Sequence, residues 1–315
     1  MTSTPFPEPA GPPNTGPENP DGGFRSGYVA IVGAPNAGKS TLLNRMLGQK
    51  LSITSKKPQT TRNRILGVVH RDASQMVFLD TPGIHQTKHP LNARIVETAL
   101  ATLSEVDLIL LVADVFSPDT ASETLLMEKL ATPHRPVILA LNKIDQMQRP
   151  ALLACIQAWS ERFAFQAVVP VSAKSGEQVD LLLDAMETAL PLGPPFFPTE
   201  SLTDLPMRFI AAEMIREKVI RLTGQEIPYA VAVTVDLFKT EKSGNLVRIH
   251  ATIHVERESQ KGIVIGKGGA RLKEIGESAR KSIEDLVDAQ VFLKLFVRVQ
   301  KNWTRDTRAL RKFGY

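Results

Sequence analysis

The sequence is poor in cysteine and in aromatic residues, and it has no long apolar run. Cys155 is the only cysteine among 315 residues, which excludes a disulfide within the chain and favours a reducing compartment. No motif flanks this thiol, so we interpret it as a core residue rather than a nucleophile. No stretch of eighteen or more apolar residues is present, which predicts no transmembrane helix. We therefore expect a cytoplasmic protein.

Basic residues are concentrated in the C-terminal third of the chain. Residues 206–315 carry 21 Lys and Arg against 13 Asp and Glu, whereas the rest carries 17 against 20. The C-terminal part therefore has a net charge of +8 and the rest a net charge of −3. This asymmetry indicates a polyanionic partner for the C-terminal part. A merely solvated basic surface would have the same composition.

Composition also divides the chain into four parts. Residues 1–25 include seven prolines in the first twenty positions and little to bury, which predicts a disordered tail. Residues 26–193 alternate short apolar runs with amphipathic stretches, which predicts βα units around a mainly parallel sheet. Residues 194–205 predict a proline-stiffened linker. Residues 206–315 predict an α+β domain in the order α-β-β-α-α-β. The runs that predict parallel strands are Tyr28–Val32, Met76–Leu79, Leu108–Ala113, Val137–Leu141 and Ala167–Val171.

The first motif, at residues 33–40, has the pattern G-x-x-x-x-G-K-S. It follows an apolar strand and opens a predicted helix at Thr41, which is the context that a phosphate-binding loop requires. Glycine-rich backbone and the helix N-terminus cradle phosphates, while Lys39 would reach the β- and γ-phosphates and Ser40 would ligate Mg²⁺. The predicted phosphate-binding residues are Gly33, Ala34, Pro35, Asn36, Ala37, Gly38, Lys39, Ser40 and Thr41.

A D-x-x-G motif follows the second predicted strand, about forty residues after the first motif. A carboxylate at this position can hold Mg²⁺ through water, and the N–H of the motif glycine can meet a γ-phosphate. The motif alone is weak, because Asp and Gly are common in turns. Its position after the phosphate loop makes it specific. The residues assigned to it are Asp80, Thr81, Pro82 and Gly83.

The polar and basic segment 52–64, between these two motifs, predicts a switch loop. Such a loop places one hydroxyl on Mg²⁺ when the γ-phosphate is present. We favour Thr61 for this role, and Thr60 is the alternative because two adjacent threonines leave the register open.

Two further motifs at strand ends predict the choice of base. The carboxylate of Asp145 can accept two hydrogen bonds from guanine N1–H and N2–H₂, a pattern that adenine lacks. The stem of Lys143 would cover one face of the base, and the N–H of Ala173 would meet guanine O6. The base-binding residues predicted from N-K-x-D and S-A-K are Asn142, Lys143, Asp145, Ser172, Ala173 and Lys174.

In this order, the motifs GAPNAGKS, QTTR, DTPG, NKID and SAK resemble those of the translation-factor-related GTPases. With the proline linker and the stretch GIVIGKGGARLKEIG, residues 26–310 resemble the Era family of bacterial ribosome-assembly GTPases. The resemblance implies a Ras-like G domain followed by a type II KH domain. It also implies Mg²⁺-dependent GTP hydrolysis and binding of the 3′ end of 16S ribosomal RNA during 30S subunit assembly. We expect a monomer, and peripheral association with the inner face of the cell membrane is compatible with the family.

Catalytic features are sparse in this pattern. Ile84 stands where many regulatory GTPases carry a glutamine that orients the attacking water, which predicts slow turnover. We therefore name no general base. Resemblance to K⁺-stimulated relatives implies that Asn36 helps to hold K⁺ beside the phosphates.

The G-x-x-G motif at residues 266–269 lies between two predicted helices, as in a KH domain. Glycine allows close approach of the backbone to RNA phosphates, and the motif lysine adds charge. A tight turn between helices would explain the motif alone, but the preceding strands and the basic charge favour RNA. The predicted RNA-binding residues are Gly266, Lys267, Gly268, Gly269, Arg271 and Lys273.

The strands and the tail around this motif give three further expectations. In the first strand, alternation places Val231, Val233, Val235 and Leu237 on one face. In the second, Arg248, His250, Thr252 and His254 form a solvent-facing surface. Around Trp303, basic residues suit RNA contact, and a helical tail anchored by this tryptophan is equally compatible.

These observations support a GTP-regulated RNA-binding factor. In the main alternative, the KH domain is a constitutive RNA anchor and the G domain signals to a protein partner without changing RNA affinity. A third hypothesis is a GTPase that serves a tRNA- or membrane-modifying complex, which the G-x-x-G motif disfavours.

Overall fold

The computed structural model describes residues 23–55, 64–83, 103–131, 135–223, 227, 231–241, 244–306, 309–310 and 313. Most of the expected N-terminal tail lies outside these residues. So do three positions named above for the switch and the catalytic site, Thr60, Thr61 and Ile84.

A six-stranded sheet forms the centre of the N-terminal part, in the order β2-β3-β1-β4-β5-β6. The pairs are parallel except for β2 and β3, which are antiparallel. Strands β3 and β4 are buried along their whole length, which is why each contains a continuous apolar run, Met76–Leu79 and Leu108–Ala113. The strands are β1 (Arg25–Val32), β2 (Ile65–Arg71), β3 (Ser74–Asp80), β4 (Leu108–Asp114), β5 (Val137–Asn142) and β6 (Ala167–Val171).

Strand β2 is absent from the strands predicted above. It is the antiparallel edge strand, and Gly67 interrupts its apolar run. A Cβ at Gly67 would lie 2.8 Å from a side-chain carbon of Leu47, so the glycine allows the first helix to pack closely on this strand. A packing requirement of this kind has no signature in the periodicity of the sequence.

Helices cover both faces of this sheet. One face packs against α1 and α4, and the opposite face against α2 and α3. The first helix begins two residues earlier than expected, at Lys39, so the last residues of the phosphate-loop motif are already helical. The helices are α1 (Lys39–Leu47), α2 (Thr120–Leu130), α3 (Arg149–Arg162) and α4 (Val179–Ala189).

The proline-rich stretch 194–205 is fixed along the edge of the sheet. The Gln75 side-chain oxygen accepts hydrogen bonds from the N–H groups of Phe196 (2.7 Å) and Phe197 (2.9 Å). Its amide nitrogen donates to the Phe197 carbonyl at 2.7 Å, and the Val68 N–H donates to the Leu202 carbonyl at 2.9 Å. Residues 194–205, called the strap below, therefore lie against the sheet on the way to the second domain.

The second domain has the expected order α-β-β-α-α-β. Its sheet is ordered β7-β8-β9, with β7 antiparallel and β9 parallel to the central β8. Its inner face carries fully buried Ile249, Ala251 and Ile253, and α7 buries Ile275 and Ile283 in the same core. The elements are α5 (Met207–Leu222), β7 (Ala232–Thr240), β8 (Leu246–Val255), α6 (Glu258–Ile265), α7 (Ala270–Val287) and β9 (Gln290–Val299).

One expectation for β7 is wrong. The pairing with β8 shifts between Val235 and Leu237, so Leu237 lies opposite His250 rather than on the inner face. Phe238 takes the inner position opposite Ile249. A bulge inserts one residue and exchanges the two faces of a strand, and the simple alternation hides it.

The expectation of a solvent-facing strand around His254 is also wrong in part. Arg248 is exposed, but Thr252 and His254 are buried. The ring of His254 packs on Phe313, with 4.6 Å between centroids, and Trp303 is fully buried beside it. The C-terminal segment therefore covers this end of the sheet, and the buried Trp303 serves as its anchor.

We predict that Gln75→Ala lowers the free energy of unfolding by about 1–3 kcal/mol, because it removes the three hydrogen bonds that the buried Gln75 side chain makes to the strap backbone. Chemical denaturation of the full chain measures this change. Gln157→Ala, which removes an exposed glutamine on α3, is the matched control. Equal midpoints for the two variants would show that the strap does not depend on Gln75.

Candidate nucleotide site and nucleic-acid interface

A cavity of about 1140 Å³ opens at the carboxyl ends of the strands in the first domain. Twelve of the residues predicted above line it: Pro35, Asn36, Gly38, Lys39, Ser40, Thr41, Gly83, Asn142, Lys143, Asp145, Ala173 and Lys174. The others lie behind this surface and are buried: Gly33, Ala34, Ala37, Asp80, Thr81, Pro82 and Ser172. The motifs thus meet around one site, as parallel strands require.

The loop after β1 wraps around the Lys39 ammonium group. This group donates hydrogen bonds to the carbonyls of Gly33 (3.0 Å) and Ala34 (2.8 Å). Burial lowers the pKa of Lys39 to about 8, and the nearby Asp80 carboxylate opposes this shift. A phosphate group would supply further negative charge and favour the protonated lysine. The loop also needs glycine at Gly38, where φ is 101° and a Cβ would lie 2.1 Å from the Asn142 amide nitrogen.

Hydroxyl and carboxylate oxygens converge below the phosphate loop. The hydroxyls of Ser40 and Ser52 each donate to the same oxygen of Asp80, both at 2.8 Å. Mg²⁺ prefers such hard oxygen ligands and takes one or two from protein beside phosphates and water, so Ser40 and Asp80 suit this ion. Sequence reasoning missed Ser52, which no motif marks. The Thr81 hydroxyl donates instead to the Ile31 carbonyl at 2.8 Å and supports the strand.

Asn142 ties together the loops that follow β1, β5 and β6. Its amide nitrogen donates to the Ala37 carbonyl at 2.8 Å, and its oxygen accepts from the Ala173 N–H at 2.9 Å. The amide that we assigned to guanine O6 is therefore directed at Asn142 in this structure. The arrangement leaves the nearby carboxylate of Asp145 as the main candidate for reading the base.

Asp145 is exposed in the cavity and is oriented by the Ser172 hydroxyl, which donates to it at 2.7 Å. Lys143 has a left-handed φ of 71°, and its ammonium group forms an ion pair with Asp114. Asp114 holds the lysine stem at the mouth of the cavity. Sequence reasoning missed Asp114, although an acidic residue that ends an apolar strand is a usable signal.

Two side chains of α1 support the neighbouring loops. Arg45 donates to the carbonyls of Ala173 (3.3 Å) and Lys174 (2.5 Å). The Asn44 oxygen accepts from the Ser52 N–H at 2.8 Å. The helix that begins at the phosphate loop therefore also positions the base loop and the start of the predicted switch segment.

The second domain reaches this site through the C-terminal end of α5. Arg221 lines the cavity and donates to the Thr54 carbonyl (3.1 Å) and hydroxyl (3.0 Å). Glu217, whose side chain is fully buried, forms ion pairs with Arg221 (3.0 Å) and Lys50 (2.7 Å). A helix of the second domain thus holds both ends of the segment 50–54, which includes the first residues of the predicted switch.

The G-x-x-G loop connects α6 and α7 and turns sharply. Gly266 has a φ of 72°, and a Cβ there would lie 2.7 Å from the Arg271 Cβ. Gly268 and Gly269 also have left-handed φ values, of 58° and 81°. In the described part of the chain, and apart from the adjoining residues, no atom would meet a Cβ at these two positions within 4 Å, so the loop leaves open space for a ligand. The exposed cations at the loop are Lys267, Arg271 and Lys273.

Comparison with known proteins agrees with both halves of this arrangement. Residues 28–143 match the family described as "50S ribosome-binding GTPase", and residues 226–304 match the KH domain family. GTPase Era of Geotalea uraniireducens is 54% identical over 292 residues, which is 93% of this chain and 98% of the relative.

The chain belongs to the Era family of GTPases.

Two solved Era structures have the same fold. An Era variant from Aquifex aeolicus bound to GDP and AlF₄⁻ superimposes with a TM-score of 0.88 at 41% identity. A complex of Era with MgGDPNP and nucleotides 1506–1542 of 16S ribosomal RNA gives 0.87 at 41% identity. Each covers 93% of this chain, and this chain covers 99% of each. The predicted fold, a Ras-like GTPase domain followed by a KH domain, is confirmed, and the chain is a GTPase like its Era relatives.

None of the helices in the described part of the chain is long and apolar enough to span a membrane.

We predict that Asp145→Asn lowers the affinity for GDP by a factor on the order of 10² to 10⁴, because an amide cannot accept both guanine N–H groups. The same variant should bind xanthosine diphosphate more tightly than the wild type does, since the amide nitrogen can donate to the xanthine C2 carbonyl. Competition binding measures the affinities of the wild type and the variant for GDP and for xanthosine diphosphate. Loss of both affinities in a folded variant would contradict a base-reading role.

Proposed function

We propose that this chain is a GTP-regulated factor that binds the 3′ end of 16S ribosomal RNA and acts in assembly of the 30S subunit. The observation that carries the proposal is the position of Arg221. This side chain belongs to the RNA-binding half, yet it lines the nucleotide cavity and holds Thr54. The Era complex with MgGDPNP and 16S ribosomal RNA supports the choice of ligands.

On the nucleotide side, different residues bind the phosphates and the base of GTP. Lys39 and the backbone of the phosphate loop bind the phosphates, and Asp145 reads guanine. Mg²⁺ would be held by Ser40 and, through water, by Asp80, and Thr61 is the third ligand that the sequence predicts. Bound there, the ion neutralises charge on the β- and γ-phosphates.

On the RNA side, the G-x-x-G loop clamps a short single-stranded segment of about four nucleotides against α6 and α7. The exposed ammonium group of Lys267 and the guanidinium group of Arg271 lie where phosphates would pass. Because these contacts displace counterions, the affinity for RNA should fall steeply as salt rises.

Coupling between the two sites follows from the contacts of α5. A γ-phosphate that reorders the predicted switch segment must move or restrain its first residues, among them Thr54, and Arg221 transmits this restraint to α5. The coupling is reciprocal: if GTP raises the affinity for RNA, RNA raises the affinity for GTP by the same factor.

The test is the dissociation constant for single-stranded RNA that copies the 3′ end of 16S ribosomal RNA, measured with GDPNP and with GDP. We expect tighter binding with GDPNP, and Lys267→Glu should weaken RNA binding without changing GDP affinity. Equal RNA affinities in the two nucleotide states would favour the constitutive anchor. Absence of RNA binding in both states would contradict the proposal.

A K⁺ ion is the second cofactor that we propose. Asn36 lies within the phosphate loop, has a left-handed φ of 63° and is exposed at the cavity, which leaves its side-chain oxygen available as a ligand. We expect K⁺ to stimulate GTP hydrolysis more than Na⁺ does, and Asn36→Ala to abolish the difference. Initial rates in matched KCl and NaCl measure this. Retained selectivity for K⁺ in the variant would contradict the assignment.

We further propose that the chain acts in the cytoplasm, because 30S subunit assembly takes place there. We also propose that it is a monomer. Peripheral contact with the inner face of the membrane stays a prediction of the family resemblance.

A further inference from the structure

We propose that the outer face of the second sheet is a further binding surface for single-stranded RNA, on which bases stack against Phe292 and Phe296. This surface is separate from the G-x-x-G loop. The inference rests on the proposed function in one respect, namely that the second domain binds RNA.

The register of β8 and β9 builds this surface. Phe292 lies beside Arg248, and Phe296 lies beside Thr252. The neighbouring Val291 is buried, whereas Phe292 is 49% exposed and Phe296 is 44% exposed. The two rings therefore share the outer face, about 13 Å apart along the strand. Two half-exposed aromatic rings contribute little to the core of this domain.

Cations accompany both rings. The Arg248 guanidinium group lies 5.7 Å from the Phe292 ring centroid, and the Lys294 ammonium group lies 5.2 Å from the Phe296 ring centroid. Arg298 shares the same face of β9, and the bulge in β7 brings Leu237 onto it as a further exposed apolar side chain. Alternating rings and cations are the composition on which single-stranded nucleic acid stacks its bases and pairs its phosphates.

The charge of the surface favours a polyanion over an apolar or basic partner. Its described basic side chains outnumber its two carboxylates, and both carboxylates are occupied within the protein. Asp236 accepts from the Thr252 hydroxyl at 2.6 Å, and Glu241 pairs with Arg248 at 2.6 Å. The four basic side chains on this face are Lys239, Arg248, Lys294 and Arg298.

Among the residues that the structure describes, neither the core nor the C-terminal segment covers this surface. Helices α5 and α7 pack on the opposite face of the sheet, where the fully buried Ile249 and Ile253 lie. The segment anchored by Trp303 covers the end near His254 and leaves both phenylalanines exposed. The domain therefore offers RNA one loop and one sheet face.

The test compares two RNAs on the full chain: a four-nucleotide RNA, which matches the footprint of the G-x-x-G loop, and an RNA of about twenty nucleotides from the 3′ end of 16S ribosomal RNA. The double variant Phe292→Leu with Phe296→Leu keeps the surface apolar but removes the aromatic rings. We expect it to bind the longer RNA more weakly by roughly tenfold or more, since it loses the aromatic surfaces on which the bases stack. Binding of the four-nucleotide RNA should not change.

Phe296→Trp supplies a direct readout, because it keeps an aromatic ring. We expect it to bind the longer RNA as tightly as the wild type does, and its fluorescence to be quenched by a stacked base. The two native tryptophans, Trp159 and Trp303, are buried and give a constant background. Leu153→Ala, which truncates an exposed apolar residue on α3, is the control for surface changes.

The outcomes separate this inference from the proposed function. If the double variant retains its thermal stability and binds the longer RNA like the wild type, the surface does not bind RNA and the inference is overturned. If the double leucine variant is unaffected but Lys294→Gln weakens binding, charge rather than stacking is responsible, and the inference fails in its central point. If the wild type binds neither RNA, the proposed function fails as well.

Discussion

Contact between the nucleotide site and the second domain depends on the ion pairs of the buried Glu217 carboxylate. Its side chain is fully buried, and a buried charge is tolerated only with close partners of opposite sign. Lys50 supplies one partner from the first domain, and Arg221 supplies the other from the same helix. Removing either cation would leave the buried carboxylate with one close partner instead of two, so α5 and the segment 50–54 are held as one unit.

This unit is connected to the phosphates by a short and rigid route. Helix α1 begins at Lys39, inside the phosphate loop, and ends at Leu47, three residues before Lys50. Asn44 on the same helix fixes Ser52, whose hydroxyl reaches Asp80. Helix α1 and the few residues that follow it thus connect the phosphate loop with the proposed Mg²⁺ ligands and with α5. In our account, this is why a change at the γ-phosphate affects the placement of the RNA-binding domain.

Much of the fold and of the candidate site could be predicted, because the chemistry depends on residues that are close in sequence. The phosphate loop needs its glycines and Lys39 within eight positions, and the base motif needs its carboxylate directly after a strand. Contacts between distant residues could not be predicted in this way. Neither the approach of Arg221 to Thr54 nor the bulge at Val235 leaves a local pattern, and Gly67 has meaning only once α1 packs on β2.

The most direct test of the account is the ratio of RNA dissociation constants with GDP and with GDPNP, compared between the wild type and Arg221→Ala. The ratio cancels effects that are equal in both nucleotide states, and Arg280→Ala, which removes an exposed ion pair on α7, is the matched control. The account predicts a ratio well above one for the wild type and the control, and a ratio near one for Arg221→Ala. An unchanged ratio in a folded Arg221→Ala variant would contradict the role of α5 in coupling the two sites.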